Sequence, residues 1–219
     1  YCRRYSDMPM LVRLDEQDGR LVPGRQLRAS DLDGGLGQSN NPEWKTVALD
    51  EVSGNLVVPN GSIGFRWGEE GRWNLQQQAG SDEVRLKLSL ILEEDRDDVV
   101  GVDFPWFGGM ASNGFAMDDR AEVLTRNVPV KRLKLADGSE ALVATVFDLF
   151  CANYSLDRGL GGEHTATSYD ADVPFTPAWA ERITGVRRDK IIQVAREFAT
   201  NAEKTNGRSM VIIGAAMNH

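Results

Sequence analysis

Cysteine is scarce in this 219-residue chain, with Cys2 and Cys151 the only two. A pair so widely spaced supplies neither a disulfide-rich scaffold nor a CxxC redox or metal site, so free thiols are expected. Histidine is equally sparse: with only His164 and His219, HExxH is absent and no local Cys/His cluster builds a closed zinc shell. Neither GxGxxG nor GxxxxGK[ST] occurs, and Gly34-Gly35-Leu36-Gly37 has the wrong spacing for a phosphate loop. The serines lack a GxSxG elbow. Asp118-Asp119 and Asp170/Asp172 are carboxylate pairs without a fixed catalytic geometry. These absences argue against a self-contained hydrolase, metalloprotease or nucleotide site.

Long hydrophobic runs are missing too. None reaches the roughly 18 to 20 residues that cross a bilayer, and no charged-then-apolar leader precedes position 20, so any membrane link is expected through other chains. A basic excess is likewise absent. Lys plus Arg number 25 against 33 acids, for a formal charge of -8, which argues against nucleic acid as a partner. Arg3-Arg4, Lys131-Arg132-Lys134 and Arg187-Arg188-Lys190 are short clusters that read as solvated surface, with an anion or partner contact as the open alternative. Asn60-Gly61-Ser62 and Asn153-Tyr154-Ser155 match a glycosylation pattern that chance readily produces.

The patterning that is present predicts an α/β chain. Met8 to Val12 reads as a brief strand ended by an acidic turn around Asp15 to Gly19. Leu27, Leu32 and Leu36 suggest a helical face that ends near Asp33, since each following glycine would cost about 1 kcal/mol in a helix. Residues 44–126 form an irregular region of loops and hairpins, in which Val84 to Leu90 alternates as a half-buried strand and Glu93 to Asp98 is a solvated loop. The next region, 128–219, is helix and sheet. Val128 to Leu135 reads as a strand with Pro129 at its open beginning, followed by an Asp137-Gly138 turn. Leu142, Val143, Val146, Leu149, Phe150 and Leu156 then recur at helical spacing, with Asp148 and Asn153 near the stripe's edge and Cys151 a structural thiol.

The clearest local signals come last. Thr176 caps a helix beginning at Pro177, and Gly185 ends it in the left-handed position. A second helix carries Ile191, Val194, Ala195, Phe198 and Ala202 on one stripe before Asn206-Gly207 breaks it. Ser209 to Ile213 is then an expected buried strand, and Gly214-Ala215-Ala216 permits close approach at its carboxyl end, where open α/β sheets place ligand crevices. Asn218 and His219 close that passage, with functional contact and a satisfied structural histidine both open readings.

Several long passages resemble one family: Tyr1 to Val12, Asn40 to Lys45, Pro59 to Glu69, Phe104 to Gly109, Leu124 to Gly138 and Gly207 to Ala215. Together the chain resembles the alpha subunit of the membrane-bound respiratory nitrate reductases, among the molybdopterin oxidoreductases. The resemblance spans nearly all of residues 1–219 and departs most between Glu93 and Arg126, which therefore reads as a variable surface loop.

What the resemblance implies is an internal part of a catalytic domain with a partial, multi-subdomain molybdopterin oxidoreductase fold. The intact parent would reduce nitrate to nitrite at molybdenum bis(molybdopterin guanine dinucleotide). Electrons would come indirectly from quinol through a haem-containing membrane gamma subunit, an iron-sulfur beta subunit and a 4Fe-4S centre. Its expected place is the cytoplasmic face of the bacterial membrane, held there by partner subunits. The molybdenum and cluster ligands are expected before Tyr1, so no metal ligand is assigned and this span alone should be inactive. His219 is the residue placed nearest the chemistry, in an outer-shell role, with Gly214, Ala215 and Asn218 as cofactor-contacting candidates. A sibling molybdoenzyme acting on another substrate and a non-catalytic interaction module are the alternatives.

Overall fold

The computed structural model describes residues 2–59, 86–92, 94–106, 122–162 and 165–211. Two compact units divide the chain, the first reaching Thr165 and the second beginning at Ala166.

The first unit opens with a short helix, α1 (Cys2–Tyr5), and then a hairpin of β1 (Leu11–Gln17) and β2 (Arg20–Gln26). The small strands β3 (Ala48–Leu49) and β4 (Leu56–Val57) pair with each other. Next come β5 (Asp98–Trp106), β6 (Glu122–Lys134) and β7 (Glu140–Thr145), and the helix α2 (Val146–Asn153) follows β7 without a loop. Five strands close a barrel in the order β1-β2-β5-β6-β7, with β7 returning to β1. Only the β2–β5 contact is parallel, through Leu21 opposite Val102.

Strand alternation divides the apolar residues into two cores. Val12 and Leu14 of β1, Val102 and Phe104 of β5, Val128 and Val130 of β6 and Ala144 of β7 pack together, with Leu149 and Ala152 of α2 joining them. The opposite faces of β1, β6 and β7 contribute Leu11, Leu133 and Val143 to a second cluster, covered by Leu27, Leu32, Val47 and Leu49 from the segment between β2 and β4 and by Val58 just after it. Successive strand residues point to opposite sides, so one short strand can serve both clusters. Ladder closure leaves the barrel strands without a long open edge.

Several expectations need correction against this unit. The turn expected around Asp15 to Gly19 falls at the end of that range, at Asp18-Gly19, both with positive φ, while β1 itself runs on through Asp15 and Glu16. The Leu27 to Leu36 segment is two short 3-10 turns, Ala29–Asp31 and Asp33–Gly37, rather than an α-helix. Gly34, Gly35 and Leu36 adopt left-handed angles, which a right-handed helix cannot continue through. Leu86 and Leu88 are buried as the alternation requires, but the described part, residues 86–92, makes only an isolated bridge from Leu88 to Asp50. The expected surface loop between Glu93 and Arg126 contains β5 and the start of β6, with Val102, Phe104 and Leu124 buried.

Pro129 lies well inside β6, opposite Val99, rather than at its beginning. On its other side β6 meets β7 only from Lys131 onward, so the missing amide proton breaks no second ladder. The Asp137-Gly138 turn forms as expected, with Asp137 accepting from the Ser139 amide at 2.9 Å. The predicted helix through Leu142 and Val143 is instead β7, and helix begins only at Val146. Ala141, Val143 and Ala144 are all buried, so both faces of β7 are apolar and the run lost the alternation that marks a strand.

The second unit contains α3 (Pro177–Thr184) and α4 (Arg188–Lys204). Thr176 accepts from the Trp179 amide at 3.2 Å, Pro177 takes the first helical position, and Gly185 adopts φ 72° while its amide returns to the Glu181 carbonyl. That φ is nearly free for glycine and strained for any side chain, which explains the sharp stop.

Candidate functional site

The candidate residues Gly214, Ala215, Asn218 and His219 lie outside the described residues, as do His164, Ile212, Ile213, Asp118, Asp119 and Asn60-Gly61-Ser62. The approach to them is described through Val211. After α4, Asn206 at φ 54° and Gly207 at φ 91° reverse the chain. Asn201 Nδ2 donates to the Arg208 carbonyl at 3.0 Å and to Ser209 Oγ at 2.8 Å, and Ser209 Oγ donates to the Phe198 carbonyl at 3.0 Å. No strand is formed over Ser209 to Val211.

Charge pairing organises the helices of this unit. Arg188 donates to Glu181 and, at 2.8 Å, to Asp170, while Arg182 reaches Asp172 at 3.2 Å. Asp170 and Asp172 therefore serve separate arginines rather than forming a carboxylate pair. Arg187 pairs with Asp189 at 2.9 Å, so two members of this basic cluster are engaged by acids. The Glu181 and Asp189 carboxyls are held below their usual range, chiefly by hydrogen bonds from Arg188 and Arg187 respectively.

The first unit contains a polar centre that sequence spacing misplaced. Asp148 was expected near the edge of a helical stripe; its side chain is 0% exposed. Thr145 caps α2 by accepting from the Asp148 amide at 2.9 Å. Asp148 Oδ2 accepts from the Leu92 amide at 3.1 Å and lies 2.8 Å from Thr145 Oγ1, while Oδ1 accepts from Arg158 at 2.6 Å. Thr145 Oγ1 is also 2.8 Å from the Leu90 carbonyl, so its single proton can serve only one of the two acceptors at a time.

Burial pushes the Asp148 carboxyl above its ordinary range, against the opposing pull of Arg158 and Thr145. One carboxylate thus ties the 90–92 segment, the start of α2 and the chain at Arg158 together. Its burial was legible only in part: Thr145 three residues before Asp148 is a capping signal, but the partners are 56 and 10 residues away.

Beside this centre, Arg126, Ser155, Arg158, Gly161 and Thr165 line a small polar cavity. Arg126 donates to Ser155 Oγ at 2.8 Å, Asn127 Nδ2 donates to the Leu160 carbonyl at 2.7 Å, and Gly162 forms a bridge with Arg126. A Cβ at Gly162 would stand 3.0 Å from the Asn127 amide nitrogen, so this close backbone approach needs glycine. The arrangement is a strap across β6 at Arg126 and Asn127, held by these polar contacts. Cys151 is buried and Cys2 exposed, and neither is in a disulfide. Among the described residues no group of three or more His, Cys, Asp or Glu could hold a metal ion, and no helix is long and apolar enough to cross a membrane.

No protein-family model matches the chain. Curated relatives do. The chain is 57% identical over 219 residues to respiratory nitrate reductase 1 alpha chain of Escherichia coli (strain K12), covering 100% of this chain and 18% of the relative. It is 56% identical to respiratory nitrate reductase 2 alpha chain of the same organism, covering 100% and 17%, and 38% identical to the nitrate reductase alpha chain of Bacillus subtilis (strain 168), again covering 100% and 17%.

A mixed α/β chain with a five-stranded barrel is thus matched from end to end by these alpha chains. The chain spans less than a fifth of the length of the respiratory nitrate reductase alpha chains it matches.

Proposed function

We propose that this chain is part of the catalytic alpha subunit of a nitrate-reducing molybdoenzyme, in which the barrel unit serves as scaffold and the 166–219 unit leads the polypeptide to the cofactor crevice. The parent would carry out the two-electron reduction of nitrate, with two protons, to nitrite and water. The observation that carries the reading is identity of 57% maintained over all 219 residues. A short shared motif would support only a common turn or cofactor contact, whereas ordered identity across both units supports a common chain path.

In this reading molybdenum bis(molybdopterin guanine dinucleotide) supplies the electron-pair chemistry when bound, and the protein supplies position and polarity. Gly214 and Ala215 would line the crevice, Asn218 would contact the cofactor, and His219 would act from the outer shell on the cofactor or nitrate. The partial molybdopterin oxidoreductase fold, with 1–219 internal to the catalytic domain and the regions 44–126 and 128–219 as its parts, belongs to the same proposal. So does the assembly: an iron-sulfur beta subunit, a haem-containing gamma subunit in the membrane that takes electrons from quinol, a 4Fe-4S centre in the parent, and a station at the cytoplasmic face. The 219 residues alone are expected to bind neither cofactor fully and to be inactive.

The test is His219→Ala in the complete alpha subunit assembled with its partners, assayed with reduced viologen. Loss of an outer-shell contact should lower nitrate turnover about 10- to 100-fold. Molybdenum content is measured alongside. Wild-type assemblies that contain molybdenum yet fail to reduce nitrate would overturn the substrate assignment, and unchanged turnover in the variant would remove His219 from it.

A further inference from the structure

We infer that the barrel of the first unit opens at one place, the seam between β2 and β5, and that Asp103 is the latch holding that seam shut. Every other ladder in the barrel is antiparallel and runs over at least three residue pairs. The β2–β5 ladder is parallel and consists of Leu21 opposite Val102 alone. Taken without it, the five strands are a continuous antiparallel sheet in the order β2-β1-β7-β6-β5, curled until its two outer strands meet.

The sequence itself keeps this ladder short. On one side of Leu21, β2 begins at Arg20, directly after the left-handed Asp18-Gly19 turn. On the other side, two residues on, Pro23 has no amide proton to donate. Backbone bonding is therefore cut short in both directions, which leaves side chains to hold the seam.

Those side chains are in place. On the inner face Leu21 packs against the cluster that contains Val102 and Phe104. On the opposite face Asp103 Oδ2 accepts from Arg20 Nη1 across the seam at 3.1 Å, while Oδ1 accepts from Thr125 Oγ1 on β6 at 2.6 Å. The Asp103 side chain is 7% exposed and that of Arg20 65%, so the carboxylate is fixed within the sheet and the arginine reaches over to it from solvent. Thr125 stands directly opposite Asp103 in the β5–β6 ladder. Gly101, two residues earlier on the same face, leaves it room, since a Cβ there would stand 3.0 Å from Thr125 Cγ2. Thr125 can thus hold one carboxylate oxygen and leave the other aimed at β2. An enclosed carboxylate supported by a neighbouring strand anchors its partner better than an ion pair exposed at both ends.

Proteins open locally where the fewest bonds must break. Parting β2 from β5 breaks one backbone bridge and one ion pair and uncovers Leu21 and Val102, while all four antiparallel ladders stay intact. The inner core therefore has a route to solvent that does not require the unit to unfold.

Amide hydrogen exchange of the 219-residue chain reads the seam without an activity assay and independently of the proposed function. Those amides of Leu21, Val22, Val102 and Asp103 that face across the seam should exchange many-fold faster than the amides paired between β6 and β7. Arg20→Ala, at an exposed position where folding survives, should speed them a further several-fold and leave the β6–β7 amides unchanged. Asp103→Asn should act in the same sense and more strongly. Arg132→Ala is the control: it removes an exposed pair, Arg132 to Glu140 at 3.5 Å, across a full ladder and should leave the exchange of that ladder as it is. Seam amides as slow as those of the β6–β7 ladder would overturn the inference. So would Arg20→Ala speeding all amides alike or none, or Arg132→Ala speeding its own ladder as much as Arg20→Ala speeds the seam.

Discussion

The barrel unit and the α3–α4 unit solve the problem of stability differently. In the barrel, closure of five strands lets Leu11, Val102, Val128, Val130 and Val143 disappear completely from solvent, and even the charged Asp148 is enclosed. In the second unit Thr176 and Ala178 are the only buried residues among those described; the rest is caps, turns and exposed ion pairs. The lesson is that a chain can carry strong local helix signals without having a core to go with them. Caps contribute about 1 kcal/mol each and exposed ion pairs less, whereas apolar burial contributes several times more per large side chain.

The sharpest way to break the comparison is at Asp148. Asp148→Ala leaves Arg158, only 15% exposed, without its carboxylate, and should cost about 3 to 5 kcal/mol in urea denaturation of the barrel. A loss under about 1 kcal/mol, the range of exposed pairs, would show that the pair is solvated like those of α3 and α4. Leu11→Ala comes next at about 2 to 5 kcal/mol, from lost burial and the cavity left behind. Gly185→Ala should cost the helix pair about 1 to 2 kcal/mol, because it forces a side chain into the left-handed region, with thermal loss of helicity as the readout. Thr176→Ala should remove about 1 kcal/mol through the lost cap.

Acid sharpens the contrast within the barrel unit. Asp31 is held below its ordinary range, mainly by Arg25, with burial opposing and the Arg28 amide assisting. Its stabilisation is therefore complete above the unfolded value and is lost as pH falls through the folded one. Asp148 has the opposite sign: its folded form keeps a proton more readily than the unfolded chain, so its contribution declines as pH rises from the ordinary carboxylate range through the raised value. Denaturation midpoints across that range should show a smaller acid-side fall in Asp31→Asn, since Asp50 and Glu51 are also held low, and a smaller higher-pH decline in Asp148→Asn. Identical pH profiles for both variants and the parent chain would refute the assignment.

How far the fold could be read in advance follows the range of the interactions. Thr176, Pro177 and Gly185 act within one helix turn of themselves, and Asp137-Gly138 within one hairpin, so each was legible. β2 and β5 were not, since Pro23, Gly24, Gly101 and Pro105 suppress the strand signal and only pairing with distant neighbours rescues it. β7 read as helix because burial on both faces erased its alternation. The candidate crevice residues were legible through family resemblance alone, and spacing by itself left His219 between a functional and a structural role.

By itself, then, the sequence determined both ends of α3, the Asp137-Gly138 turn, the apolar stripe of α4 and a family resemblance, because these depend on neighbouring residues or on a long ordered match. Tertiary structure decided the closure of the barrel, the division of its apolar residues between two cores and the burial of Asp148. Those outcomes depend on which distant backbone groups and side chains meet, and a carboxylate's surroundings cannot be read from its neighbours when an amide 56 residues away is one of its partners.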